Sequence, residues 1–293
     1  MPTLPFTKMH GLGNDYVYIN AIAHPLPDDL DLHQLARNLS DRHRGIGSDG
    51  LILAVPPTPA APQAHARMRM FNVDGSEGDM CGNGLRCLAK LVHDQKIARA
   101  KPLLIETGNG VLTVDYTTDT HGQLSTATVD MGPPRFEAEA VPLNLDHAQP
   151  TDHPATWTLD LDGEPITFVA VNTGNPHAVI FTDDLTAIDL RRLGPQLEHH
   201  PAFPARANIH WAQVLDRHTL KVIHWERGSG PTQACGTGAT AAAVAAIHLN
   251  LTETKVTTKL PGGPLQIEWK SGSAKMTGEA VLSFTGSYLT PNT

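Results

Sequence analysis

The chain has 293 residues, of which 40% are hydrophobic and 18% charged, with a formal charge of −8. This length favours two domains, the composition excludes global disorder, and the negative balance excludes sequence-independent nucleic-acid binding, which needs surplus Lys and Arg. No apolar run reaches the roughly 18 residues of a membrane span, and MPTLPFTKMHG lacks the basic-then-apolar order of a secretory signal, so a cytoplasmic enzyme with no membrane partner is expected.

In chain order, Gly13-Asn14-Asp15 reads as a turn releasing a strand over Tyr16, Val17, Tyr18 and Ile19. Residues 28–43 carry Leu32, Leu35, Ala36 and Leu39 at helical spacing. The loop 45–50 precedes a strand over Leu51–Val55, and the Pro/Ala-rich 56–66 reads as a surface connection. A strand over Met68–Val73 meets the turn Asp74-Gly75-Ser76, and Cys81-Gly82-Asn83-Gly84 opens a helix over Leu85–His93. Short strands alternate with turns from Leu103 to Val129, and Met131-Gly132-Pro133-Pro134 marks a domain boundary. The stretch 145–163 carries no usable motif and reads as a surface excursion. A strand over Ile166–Val171 then leads through Gly174-Asn175-Pro176-His177 into the strand Ala178–Phe181. A helix over Leu185–Leu193 and strands over Ile209–Leu215 and Leu220–Trp225 follow. Glu226-Arg227-Gly228-Ser229-Gly230 and Cys235-Gly236-Thr237-Gly238 lead into a helix over Ala239–Leu249.

The second half thus repeats the grammar of the first. Placing Cys81 on Cys235 (235 − 81 = 154) sets Gly82 on Gly236, Gly84 on Gly238 and Asn72 on Glu226. A period this long means a duplicated domain, since solenoid repeats run about 20–50 residues. Residues 1–130 and 131–282 are read as the two domains, with a last strand over about 283–293 returning to the first.

Three cysteines are too few for a disulfide framework, and the sixteen histidines are scattered without HExxH or CxxC, so no metal is expected. A CGxG element at a helix start does have chemistry available. Glycine lets a ligand approach the backbone, the first-turn amides point outward, and the helix dipole favours an anion and eases ionisation of a thiol there. Two such elements suit inversion of a carbon stereocentre, in which one base removes a proton from one face and an acid of similar strength protonates the other. Packing, or a disulfide joining Cys81 to Cys235, would leave the matched glycines unexplained. Cys87, in the body of the helix, reads as core.

NVDGSE followed by MCGNGLRC, then GNPH, RANI and ERGSG–x3–ACGTGATA, together with the N-terminal KMHGLGNDYV, resemble the diaminopimelate epimerases in order from residue 6 to about residue 245. The resemblance implies an α+β fold of two pseudo-symmetric domains, each a mostly antiparallel sheet wrapped around a central helix, with the active site in the cleft. It implies interconversion of LL- and meso-diaminopimelate with no cofactor, pyridoxal phosphate included, on the route to lysine and peptidoglycan precursors. It assigns Cys81 and Cys235 as the acid/base thiols and gives His177 and Glu226 catalytic importance. It places the substrate carboxylate on the amides of Gly82, Asn83, Gly236 and Thr237, substrate contacts on Asn14, Asn72, Asn175, Asn208 and Arg227, and an ammonium group on Glu226. Turn chemistry is the alternative for Asn14 and Asn175, and a solvated loop for Asn208, Glu226 and Arg227. Gly50 departs from family members that place a substrate-touching Gln there. The implied partner is a small amino acid; a homodimer is left open. Proline and hydroxyproline racemases share the layout but usually have His where Asn83 stands, a phenazine-type isomerase would lack the cysteine pair, and a non-catalytic amino-acid-binding module would not need both thiols.

Overall fold

A computed structural model of the chain describes residues 3–289, so residues 290–293 of the expected returning strand lie outside the described residues. The chain forms two compact units, one of 3–129 with 277–289 and one of 130–276; the return therefore starts ahead of residue 283.

In the first unit the order is β1 (Thr3–Gly11), β2 (Asn14–Asn20), α1 (Leu32–Ser40), β3 (Gly50–Val55), β4 (Ala66–Asn72), β5 (Glu77–Gly78), α2 (Gly82–Asp94), β6 (Leu103–Thr107), β7 (Gly110–Thr118) and β8 (Leu124–Asp130). The second unit contains β9 (Gln149–Pro150), β10 (Thr156–Leu161), β11 (Glu164–Asn172), β12 (Pro176–Phe181), α3 (Leu190–Glu198), β13 (Asn208–Asp216), β14 (Thr219–Trp225), α4 (Gly236–His248), β15 (Lys255–Leu260) and β16 (Gly263–Lys270). β17 (Ser273–Glu279) carries the chain back, and β18 (Val281–Leu289) pairs antiparallel with β1.

The duplication is visible in the strand pairings. β1–β2 is antiparallel, β2–β3 parallel, β3–β4 antiparallel, β4–β6 parallel and β6–β7 antiparallel. The run β11–β12, β12–β13, β13–β14, β14–β15, β15–β16 alternates in the same sense. Each parallel pair needs a crossover, and each crossover holds a helix: α1 and α2 in the first unit, α3 and α4 in the second. This is the mixed α+β class with mostly antiparallel sheets.

The second crossover helix of each unit is buried on nearly every side. All residues from Gly82 to His93 of α2 are buried, and so are Gly236 and Gly238–Ala246 of α4. A helix enclosed all round has to be either apolar or internally satisfied. α4 is rich in alanine, which lets strands approach its backbone; α2 instead carries Arg86 and Lys90 and pairs them, Arg86 with Asn83 Oδ1 and Lys90 with the Leu124 carbonyl and with Asp94 at 2.8 Å.

Several boundaries differ from the sequence reading, each for a local reason. α1 begins at Leu32, because Asp31 accepts from Gln34 N at 2.9 Å and caps it; residues 28–31 lie outside. Its Leu35, Ala36 and Leu39 pack in one cluster with Val17, Ile19, Leu51, Leu53 and Phe71. The helix expected over Leu185–Leu193 is two pieces, a 3-10 turn over Leu185–Ala187 and then α3, since Asp184 and Asp189 each cap a separate start. The stretch 145–163 is no surface excursion: β10 alternates Trp157, Leu159 and Leu161 toward a core that includes Phe168, Phe203 and Trp211. The connection 56–66 is likewise tied down, with Ala61 and Ala64 buried and Thr58 bonded to Glu106.

Close approach fixes one glycine in each helix start. A methyl at Gly238 would lie 2.1 Å from Cε1 of the wholly buried His210 ring. At Gly84 the nearest atom, at 2.5 Å, is the movable Cδ1 of Ile52. Gly238→Ala is therefore expected to lower the unfolding free energy by about 1–3 kcal/mol in urea titration, and Gly84→Ala by less.

Candidate active site

Cys81 and Cys235 occupy the same position in their units, the N-cap of the second crossover helix. Both have extended backbones, φ −131° and ψ 120° for Cys81, φ −116° and ψ 107° for Cys235. Each sulfur accepts the amide two residues into its helix, Gly84 N at 3.4 Å and Gly238 N at 3.3 Å. The helices start at Gly82 and Gly236, three residues earlier than the sequence reading, because the cysteine itself serves as the cap. Gly82 and Asn83, like Gly236 and Thr237, thus stand at the positive end of a helix dipole, where a carboxylate is favoured.

Around Cys81 the first unit assembles amides and charge. Asn14, which opens β2, sets its Oδ1 3.5 Å from the sulfur and 3.4 Å from Asn83 Nδ2. Its Nδ2 donates to Asp49 at 2.8 Å, and Arg42 binds both Asp49 and Asp15. Lys8 completes this network with an ion pair to Asp15 and a bond to the Gly47 carbonyl. Asn72 ends β4, and its Nδ2 donates to Ser76 Oγ at 3.0 Å within the turn that follows. Gly50 opens β3 with no room for a side chain: a methyl there would lie 2.1 Å from the Phe71 carbonyl oxygen. Cys87 is wholly buried, and burial pushes its thiol up to about 11.

Around Cys235 the second unit supplies hydroxyls and imidazoles. Thr237 Oγ1 lies 3.5 Å from the sulfur, and the Thr237 carbonyl accepts from Thr173 Oγ1 at 3.0 Å. His177 is buried on β12, its Nδ1 2.8 Å from Nε2 of His210 on β13. The His210 ring abuts the first turn of α4 at Gly238. Asn175 follows Gly174, which has φ +111°, and its buried Oδ1 has no hydrogen-bond partner among the described residues. Asn208 braces the backbone: its Nδ2 donates to the Pro176 carbonyl at 2.9 Å and its Oδ1 accepts from Arg227 N at 3.0 Å. The Arg227 side chain is exposed and bonds the Ala205 carbonyl at 3.1 Å. The Glu226 carboxylate accepts from Thr232 Oγ1, whose oxygen in turn lies 2.8 Å from His224 Nε2.

The structure thus groups Asn14 and Asn83 with Cys81, and Thr237 with Cys235, while Asn72 is engaged in its own turn. Several supporting residues escaped the sequence reading. Tyr16 is buried beside Cys81, and burial, Cys81 and Asp49 together hold its hydroxyl proton well above the usual phenol range. Glu198 is almost wholly buried, takes Trp225 Nε1 at 2.7 Å and Gly228 N at 2.9 Å, and so braces the turn carrying Glu226 and Arg227. Asp49 and Thr232 sit inside the quoted motifs' own neighbourhood, a charge in a glycine loop and a hydroxyl in the spacer before Cys235; those were the available signals.

A family model described as diaminopimelate epimerase matches residues 6–137 and 169–283. The diaminopimelate epimerase of Pseudomonas syringae pv. syringae (strain B728a) is 44% identical over 288 residues, 97% of this chain and 98% of that protein. That of Methanothermobacter thermautotrophicus is 41% identical over 286 residues, 96% and 97% of the two chains. Among solved structures, a probable proline racemase from Agrobacterium radiobacter K84 superposes with a TM-score of 0.69 at 14% identity, covering 98% of this chain and 93% of its own. A PhzF-family phenazine biosynthesis protein from Bacillus anthracis gives 0.66 at 15% identity, covering 99% and 100%. At such identities the two structures speak for the fold alone.

The buried imidazoles make stability depend on pH. Burial depresses His177 to about 3 and His224 to about 4, and puts His210 well below its ordinary 6.5. These rings stay neutral in the folded chain but take up protons when unfolded below pH 6.5, so their contribution is complete above that pH and is lost as it falls toward 3–4. Urea unfolding is expected to show a free energy that declines from pH 6.5 to 4, with a shallower decline in His224→Gln.

Proposed function

The chain belongs to the diaminopimelate epimerase family, and we propose that it interconverts LL- and meso-diaminopimelate by a two-base thiol mechanism. The observation that carries the mechanism is the matched pair of N-cap cysteines on duplicated, enclosed crossover helices. Inversion without a cofactor needs a base for one face of the carbon and an acid for the other, and the chain offers two chemically equivalent groups for those parts. One cysteine, as thiolate, takes the α-hydrogen and becomes a thiol; the other, as thiol, gives its proton to the opposite face and becomes a thiolate. Hydrogen count and charge balance, and the reverse reaction uses the same pair with the parts exchanged.

The α-proton is far less acidic than a thiol, so the charge that develops on the substrate has to be stabilised. The amides of Gly82, Asn83, Gly236 and Thr237 are the groups to do it, being preorganised donors at helix N-termini that need no reorientation during the reaction. Arg227 presents a planar fork suited to a distal carboxylate and Glu226 an acceptor for an ammonium, with Asn14, Asn72, Asn175 and Asn208 as neutral orienting amides. A site that hydrogen-bonds the distal end rejects amino acids lacking one, because the buried partners would go unpaired. His177 supports the second thiol as a neutral ring, burial having depressed it to about 3. The reaction serves lysine and peptidoglycan precursors in the cytoplasm and uses no pyridoxal phosphate. No helix among the described residues is long and apolar enough to cross a membrane.

Incubation with LL-diaminopimelate in deuterated water is expected to place deuterium at the α-carbon as the meso form appears, while proline stays unlabelled. Label entering only proline would assign a proline racemase, and label entering neither a binding module. Cys81→Ala and Cys235→Ala are each expected to reduce turnover by at least about a thousandfold, measured by the same exchange.

A further inference from the structure

The orientation of the Asn14 amide is set by the chemistry of its neighbours. Its Nδ2 donates to Asp49 Oδ2 at 2.8 Å, and a carboxylate can only accept. On the other side Asn83 Nδ2 donates to Asn14 Oδ1 at 3.4 Å, while Asn83 Oδ1 accepts from Arg86 Nη2 at 2.9 Å, and a guanidinium can only donate. A hydrogen-bond chain therefore runs from an obligate donor to an obligate acceptor, Arg86 to Asn83 to Asn14 to Asp49, and has one sense. Turning either amide over would set N–H against N–H or oxygen against oxygen. Asp49 is itself anchored: Oδ2 also accepts Asp15 N at 3.1 Å, Oδ1 accepts Arg42 Nη2 at 2.9 Å, and its own amide donates to the Asp15 carbonyl at 2.7 Å. What this chain presents to Cys81, 3.5 Å from the sulfur, is an oxygen with no hydrogen to give.

We propose that Asp49 is a positioning residue that locks the Asn14 side-chain oxygen onto the Cys81 sulfur and so holds back the ionisation of that thiol. This rests on the two-thiol reading above and concerns how readily one of its thiols ionises. An acceptor oxygen stabilises S–H and repels the thiolate. Titratable and charged groups face Cys81 from each element around it: Tyr16 and Tyr18 on β2, Asp49 ahead of β3, and Arg86 and Cys87 on α2. The Gly84 amide, the Tyr16 hydroxyl and the Arg86 charge favour the ionised sulfur, and the locked oxygen works against them.

The test compares Asp49→Ala with Asp49→Asn in the full chain. Both remove the charge, but the asparagine oxygen can still serve the two donors, Asn14 Nδ2 and Asp15 N, whereas alanine releases the Asn14 amide. The Asp49 side chain is 40% exposed, so neither change disturbs a core, and circular dichroism melting verifies the fold. The readout is iodoacetamide alkylation of Cys81 against pH, resolved by peptide mass spectrometry. The alkylation midpoint is expected to fall by about one pH unit in Asp49→Ala and to stay at the wild-type value in Asp49→Asn. A fall in both variants alike would trace the effect to lost charge and overturn the proposal, as would no fall in Asp49→Ala. Alkylation uses no substrate, so failure here is distinguishable from failure of the epimerase reading, which deuterium exchange by the wild-type chain decides.

Discussion

Two parallel strands cannot be joined by a tight turn, and most of this molecule's chemistry follows from that constraint. The chain has to leave the sheet, run a helix across it and return, and in each unit the second such helix is enclosed by strands. An enclosed helix has few places where its backbone can meet a small molecule, and the first turn is the one with unspent donors. Placing a cysteine at the cap gives that opening both a positive field and a group able to exchange a proton. Glycine at the first and third helical positions keeps the turn slim enough for its surroundings: the His210 ring fills the space where a Gly238 side chain would stand.

The two copies solve the surroundings of the sulfur differently. The first unit uses a charge-terminated run of amides, from the buried Arg86 to the Asp49–Arg42–Asp15 network. The second uses neutral imidazoles and hydroxyls, His177 against His210 and Thr237 against Cys235. Such polar clusters are costly unless satisfied, and in the first unit the run ends on groups that can only donate or only accept, Arg86 and Asp49. Among the described residues Nε2 of His177 and Oδ1 of Asn175, both within GNPH, lack partners, as do Nδ1 of His210 and Nδ1 of His224.

The sequence made the duplication and both cysteines legible because their signals are local: glycines at fixed offsets and apolar runs of recognisable period. It misplaced what depends on competition among nearby residues. Asp31 and Asp189 each offered a better cap than the residues upstream, so α1 and α3 start later than periodicity suggested. β10 was hidden in a stretch dominated by Pro, Asp and His, although the alternation of Trp157, Leu159 and Leu161 was present. The site residues divide the same way. Cys81 and Cys235 stand out within their motifs, whereas Asp49, Tyr16 and Glu198 act through partners distant in sequence, such as Glu198 beneath Trp225 and Gly228, and no spacing rule exposes them.

The separate scaffolding of the two sulfurs has an evolutionary corollary. The bonds that orient Asn14 lie wholly within one copy, and those that orient His177 and Asn208 wholly within the other. A duplicated gene could therefore have altered one nest of partners while its twin went on working, and a modern lineage could retune either half to a new ligand without first dismantling the opposite one.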